Sequence, residues 1–446
     1  MPQRRARRAA GTIAVLAGAL VVAACGAGTD PAPGGGDTGA SDVIRVPDDA
    51  ATIGEAIDLA DPGDMVLIAA GTYPEEVTVD VPDLTLRGED RNGVIIDGGG
   101  VRTFGVFASA DGVRIENLTV TSTLFYGVLV TGMHDENGPI AHGGPGYTTL
   151  DPEAFPPVQR FSIDHVTAAN NGLYGIYAFN AQHGVIADSY ASGSADSGFY
   201  VGQCEQCDIL VTGNVAERNA IGFENANASD SVVIAGNRFS HNRIGMTLIS
   251  NYQEAFTPQR GNLVMGNLIS DNTSADSPAH ALGGFGVGLS LVGGQDNTVV
   301  ANRIEGNPLT GIQLGNTEDI AASGNTFTGN VLGDNGLDLG DASADRTPSA
   351  ENCFEPAPAT VSPSSLAEAV CPSGNEGGGV DTTDWPTPEV PPGISFLDVP
   401  MPPSQPEMPD PETSPSGPLP ETVTMPEAAG AVVPDAELLA DRSGAS

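Results

Sequence analysis

From residue 105 onward the chain repeats one motif, a glycine followed by an alternating apolar stretch. It occurs at Gly105 (GVFA), Gly127 (GVLV), Gly175 (GIYA), Gly198 (GFYV), Gly222 (GFEN), Gly245 (GMTL), Gly286 (GVGL), Gly311 (GIQL) and Gly336 (GLDL). The steps between them are 22, 48, 23, 24, 23, 41, 25 and 25 residues. Most steps lie near 23, and each long one is a single step plus an insertion. A second register of apolar alternation ends in Asn or Asp at Asn117, Asp164, Asp188, Asn214, Asn237, Asn267, Asn302 and Asn325. Two or three short strands per unit predict one coil of a parallel β-solenoid, stacked at about 4.8 Å per coil. Equivalent asparagines then bond along the stack. No coil buries its apolar face alone, so stability is a nearest-neighbour sum along the rod.

Strand alternation sorts the glycine-led positions into two faces. Val106, Val128, Ile176, Phe199, Phe223, Met246, Val287, Ile312 and Leu337 are expected to point inward. Phe107, Leu129, Tyr177, Tyr200, Glu224, Thr247, Gly288, Gln313 and Asp338 are expected to point outward. Both insertions, Thr131 to Gln159 and Ser250 to Arg260, leave the coil four to five residues after the glycine, and so on the same corner. They are expected to stand as walls on either side of a floor carrying Tyr177, Tyr200 and Glu224, with His183, Gln203 and Asn225 at its edge. Aromatic faces beside acids and amides suit sugar rings.

Ahead of the repeats, Ile53, Ala56, Ile57 and Ala60 fall at i, i+3, i+4 and i+7, which predicts an amphipathic helix covering the first sheet edge. The following stretch, PGDMVLIAAGTYPEEVTVDVPDLTLRG, is punctuated as strands. This helix–PGD–strand–GTY–strand order resembles the opening of right-handed β-helix proteins of the pectin-lyase-like superfamily. The resemblance spans residues 43 to about 340 and implies an all-β, right-handed parallel β-helix with an N-terminal capping helix. It implies little about chemistry, because that fold carries lyases, hydrolases, esterases and adhesins.

Composition adds an address. The chain has 446 residues, 58 of them Gly and 35 Pro, with 57 acidic against 17 basic residues and a formal charge of −40. All the basic residues are Arg, and no basic stripe exists to neutralise phosphates, which excludes a nucleic-acid binder. Arg4, Arg5, Arg7 and Arg8 precede a short apolar run, Gly11 to Val22, of signal-peptide length. The run ends in Val22-Ala23-Ala24-Cys25, which resembles the lipobox of bacterial lipoproteins and implies lipidation of Cys25. An ordinary small-residue cleavage site is the alternative. Removal of residues 1–25 leaves 13 basic against 57 acidic residues, a charge of −44. Cys204 with Cys207 and Cys353 with Cys371 form two close pairs, expected as disulfides in an oxidising compartment.

These features divide the chain into a signal peptide (1–25), a flexible linker (26–41), a cap with the first coils (42–104), the β-helix (105–345), a disulfide-closed cap (346–372) and a tail (373–446). With fifteen Pro from residue 386 onward and many acids, the tail is expected to be disordered.

Candidate chemistry is sparse. A glycoside hydrolase needs two carboxylates: Glu224 supplies one, and Asp188, Asp196 or Glu205 the other. Phe161 to Val166 (FSIDHV) resembles the pectate-lyase strand ending in Asp-His, whose Asp binds calcium; this singles out Asp164 as a metal ligand with Ca2+ as its cation. That family's arginine-bearing motif has no counterpart here. The histidines are scattered, leaving His134 and His142 as the one pair able to share a metal. The repeat pattern is also similar to the β-helical accessory proteins of nitrous-oxide-reductase copper loading. The expectation is therefore a monomeric, lipid-anchored, extracytoplasmic β-helix that binds, and in one reading cleaves, extracellular or envelope polysaccharide. A non-catalytic scaffold or copper accessory protein is the alternative.

Overall fold

A computed structural model describes residues 42–140, 148–377 and 382–444. The signal, the linker, Cys25 and His142 lie outside the described residues. Among the described residues no helix is long and apolar enough to cross a membrane.

The chain winds into three-sided coils joined almost wholly by parallel pairing. The coil from residue 209 shows the plan: a first face (Ile209–Thr212), a second (Val215–Glu217), and a third that begins at the glycine motif (Ile221–Ser229). First- and second-face strands form one 20-stranded sheet, because two long strands, Arg114–Thr121 and Val158–Ala169, bend around the corner between them. Third-face strands form a 12-stranded sheet. The core is a single apolar column from Val46 to Ala369. At the first edge, the helix Ile53–Leu59 is capped by Thr52, whose Oγ1 accepts from Glu55 N, while Glu55 Oε2 accepts from Ala51 N. Ile53, Ala56 and Ile57 are buried beneath it.

Each corner carries its own asparagine ladder. Asn214, Asn237, Asn267, Asn302 and Asn330 bond amide to amide at 2.9–3.0 Å. Asn219, Asn242, Asn272, Asn307 and Asn335 form the second ladder. Asn297, Asn325, Asn352 and Asn375 continue the third from Asn262. Each Nδ2 also donates to a carbonyl of the preceding coil, so these buried amides are satisfied. The single expected register thus divides. Asn325 belongs to a different corner from Asn214, while Asn117 and Asp188 take left-handed corner positions outside any ladder.

The motif glycines serve close approach. A Cβ on Gly222 would stand 2.5 Å from Gly245 O and 2.8 Å from Asn242 Nδ2. Strand register matches the expected columns up to Met246 and Thr247. Beyond them Leu289 and Leu339 take the inward places assigned to Val287 and Leu337, with Ser290 and Gly340 outward, a shift of two residues.

Both disulfides form, with S–S lengths of 2.11 Å (Cys204–Cys207) and 2.09 Å (Cys353–Cys371). The second closes a small cap that buries Leu366 and Ala369. The tail departs from expectation. Residues 382–444 lie against the rod, starting on the third face, where Trp385 stands over Gly340, and continuing over the first and second faces, with Trp385, Val399, Gln405 and Arg442 buried. Composition misled here because the tail buries little of itself; its polar partners are supplied by the rod.

Candidate functional site

The outward column of the third face runs in register as Phe107, Leu129, Tyr177, Tyr200, Glu224 and Thr247. The two insertions meet over it, but as a roof and not as walls. Met133, Leu150 and Phe155 from the first, with Ala255 and Phe256 from the second, pack onto Tyr126, Leu129, Tyr174, Tyr177 and Tyr200. Tyr177 and Tyr200 are fully buried, in edge contact at 4.7 Å between ring centroids. The open floor expected from them is therefore closed, because large apolar rings gain more from mutual burial than from facing water.

The other edge residues are also committed elsewhere. Asn225 is buried: its Nδ2 donates to Val201 O, and its Oδ1 accepts from Gln259 and Asn262. Gln203 and His183 occupy left-handed corners, away from the column, with His183 Nδ1 3.2 Å from Asp208 Oδ2.

At the margin of the roof the structure gathers carboxyl groups. Ser197 Oγ lies 2.9 Å from Glu224 Oε2 and 3.1 Å from Asp196 Oδ1. A hydroxyl has one proton, so Ser197 donates to Glu224 or to Asp196, and donation to Glu224 works against the protonated form of that carboxyl. Burial, and then the charges of Asp196 and Glu254, push the Glu224 carboxyl well above the usual range and favour that protonated form. Glu254, on the second insertion, accepts from Tyr200 Oη at 3.0 Å. His280, on the loop before the strand Val287–Val292, lies 3.6 Å from Asp196 Oδ2. Burial works to lower the His280 pKa, but the bond to Asp196 and its charge outweigh it and raise the pKa. Asp196 and His280 keep about a sixth of their side-chain surface exposed, so the cluster is open to solvent.

Sequence reading singled out Glu224 and Asp196 but not Ser197, Glu254 or His280, which come from another coil position and two loops. It also missed Phe125, which is 40% exposed on the same corner. Leu173 N bonds Phe125 O and Asp196 N bonds Leu173 O, which puts Phe125 two coils from Asp196, roughly 10 Å along the rod.

Asp188 stands elsewhere, with Asp164, on the corner between the first and second faces. Asp164, His165 and Asp188 bring one ligand atom each within 4.8 Å of one another. His165 Nδ1 is already 2.6 Å from Asp164 Oδ1, and the Arg442 guanidinium is 3.6 Å from Asp188 Oδ1. Arg91 beside them is fully buried, and burial followed by Arg442 lowers its pKa to about 9. Calcium takes roughly six to eight oxygen ligands. Two carboxylates, an imidazole and a neighbouring guanidinium do not fit it.

A family model described as "Right handed beta helix region" matches residues 83–260. Together with the three stacked parallel faces, this decides the fold. The chain is a right-handed parallel β-helix protein. No curated protein matches it. Solved structures similar to this β-helix include the A-module of a mannuronan C-5 epimerase from Azotobacter vinelandii (15% identity, 68% of this chain and 88% of that one, TM-score 0.42). An alginate lyase from Paenibacillus is similar at 14% identity (72% and 97%, TM-score 0.36). The Dettilon tailspike protein is similar at 16% identity (70% and 70%, TM-score 0.37).

Proposed function

We propose that this β-helix engages a carbohydrate polymer at the margin of its roofed face and cleaves it by general acid catalysis. One observation carries the reading: Glu224 and Asp196, joined through Ser197, at a solvent-open edge with His280 behind Asp196. Glu224, held in its protonated form, donates to the departing glycosidic oxygen. Asp196 attacks the anomeric carbon as the bond to that oxygen breaks, and water, giving its proton to the Glu224 carboxylate, then hydrolyses the glycosyl ester and frees Asp196. His280 balances the charge on Asp196, and Phe125 offers the exposed ring face that the roofed tyrosines do not.

Export and a lipid on Cys25 belong to the same proposal. They are supported by the arginine-led apolar run and the lipobox-like ending. Incorporation of labelled fatty acid by the parent chain and its loss in Cys25→Ser test them.

A panel of neutral and carboxylated polysaccharides tests the chemistry. New reducing ends are expected from at least one polymer, with the rate falling about 10²- to 10⁴-fold in Glu224→Gln and binding retained. Phe125→Ala is expected to weaken binding to that polymer. Absence of both binding and cleavage across the panel overturns the proposal.

A further inference from the structure

The tail crosses the rod in two passes, and its contacts have a common chemistry. On the outward pass, the Trp385 ring lies over Gly340 and its Nε1 donates to Ser362 Oγ at 3.1 Å. Pro391 O accepts from Arg243, Phe396 O and Val399 O accept from Asn170, and Pro406 O accepts from Arg91. On the return, Pro434 O accepts from Arg303, and Ala436 O and Leu438 O from Arg238. A proline-rich chain with few N–H donors but a carbonyl at every residue suits a rod surface that offers guanidinium groups.

The passes meet at Arg442. Its buried guanidinium donates to Gly213 O at 2.6 Å, Asp188 O at 2.8 Å and Ser189 O at 3.1 Å. Its Nε donates to Gln405 Oε1 at 3.2 Å, and Gln405 Nε2 returns a bond to Arg442 O at 2.9 Å. One side chain thus ties the return pass both to the rod and to the outward pass. Beyond it, Ser443 Oγ and Gly444 N donate to buried Glu217.

Trp385 and Val399 are the two buried apolar side chains of the described tail, and within residues 400–444 Met425 and Ala431 add half-buried contacts to Val233, Ala235 and Met265. A polar interface of this kind exchanges its bonds for water at small net cost, whereas the apolar core does not. We propose that residues 400–444 form a releasable strap, latched by Arg442, that runs along the corner carrying Asp164, His165 and Asp188 and covers the arginines beside it. Closed, it sets a guanidinium against Asp188 and seals Arg91 and Arg238, which are 0% and 8% exposed. Open, it returns all of these groups to solvent. The strap does not touch the carboxyl cluster of Asp196 and Glu224.

Hydrogen exchange on the full chain tests it. Gln405 N and Met408 N donate to Asn92 and Asn117 of the rod. In Arg442→Gln these two amides are expected to exchange at least tenfold faster. The ladder amides of Asn237 and Asn267, and that of Ile394 ahead of the strap, are expected to keep their rates. An arginine-specific dicarbonyl reagent, read by mass spectrometry, is expected to leave Arg91 and Arg238 unmodified in the parent and to modify both in the variant. Gln405→Ala, which cuts only the link between the passes, is expected to give a smaller change in the same direction. Unchanged exchange in Arg442→Gln would show that it latches nothing. Faster exchange of the ladder amides as well, or failure of the variant to fold, would show that the tail is an integral part of the rod. Either result overturns the strap.

Discussion

Two corners of the rod carry clustered carboxylates, and the molecule treats them in opposite ways. At the margin of the roof, Asp196, Glu224 and Glu254 are gathered, with His280 against Asp196, and Glu224 responds by holding its proton. At the Asp164–Asp188 corner, Arg91 and Arg442 stand beside the acids, and it is the Arg91 guanidinium whose pKa falls. A buried carboxyl crowded by like charges becomes an acid able to donate; a carboxylate beside guanidinium groups is tied into the scaffold. Two features that look alike in sequence thus differ in what they can do.

The largest expected test of this contrast is removal of a roofed ring. Tyr200→Ala is expected to cost about 3–5 kcal/mol in denaturant unfolding, as for other large buried side chains. A loss below about 0.5 kcal/mol would mean that the roof is open and the column exposed.

Next comes a pH profile. Because the folded state raises the Glu224 pKa, the stability linked to its proton is complete below the unfolded value and is lost as pH rises through the folded one. Glu224→Gln escapes that loss. The variant is expected to be more stable than the parent from the ordinary glutamate range upward, the gap growing by at most about 1.4 kcal/mol per pH unit. A constant gap would deny the shift.

Ser197→Ala is expected to cost about 1 kcal/mol, and to extend that profile to higher pH by removing the hydroxyl that lowers the Glu224 pKa. Smallest is Asp188→Asn. This side chain is about half exposed, and its pairing with Arg442 is expected to contribute under about 1 kcal/mol. A larger loss would place Asp188 among the buried essential charges and erase the distinction between the corners.

How much could be read in advance depended on whether a feature repeats. The Phe107–Leu129–Tyr177–Tyr200–Glu224 column was legible because strand alternation and a 23-residue step place those residues without any knowledge of loops. The disulfides followed from spacing and compartment. The roof was not legible, because an insertion's departure point says where it leaves the rod and not whether its apolar residues fold back. His280 and Glu254 were invisible for the same reason.

The repeat by itself therefore determined the rod: its coil length, its parallel stacking and its inward apolar column as far as Met246, since every coil meets nearly the same neighbour and local pattern suffices. Tertiary structure alone decided the surface, closing a tyrosine floor, assembling an acid cluster from distant loops and laying the tail on arginines. Those contacts join segments up to several hundred residues apart and occur once each, so no periodicity announces them. They form only when the finished rod presents groups whose burial and hydrogen bonding the loops and tail can complete.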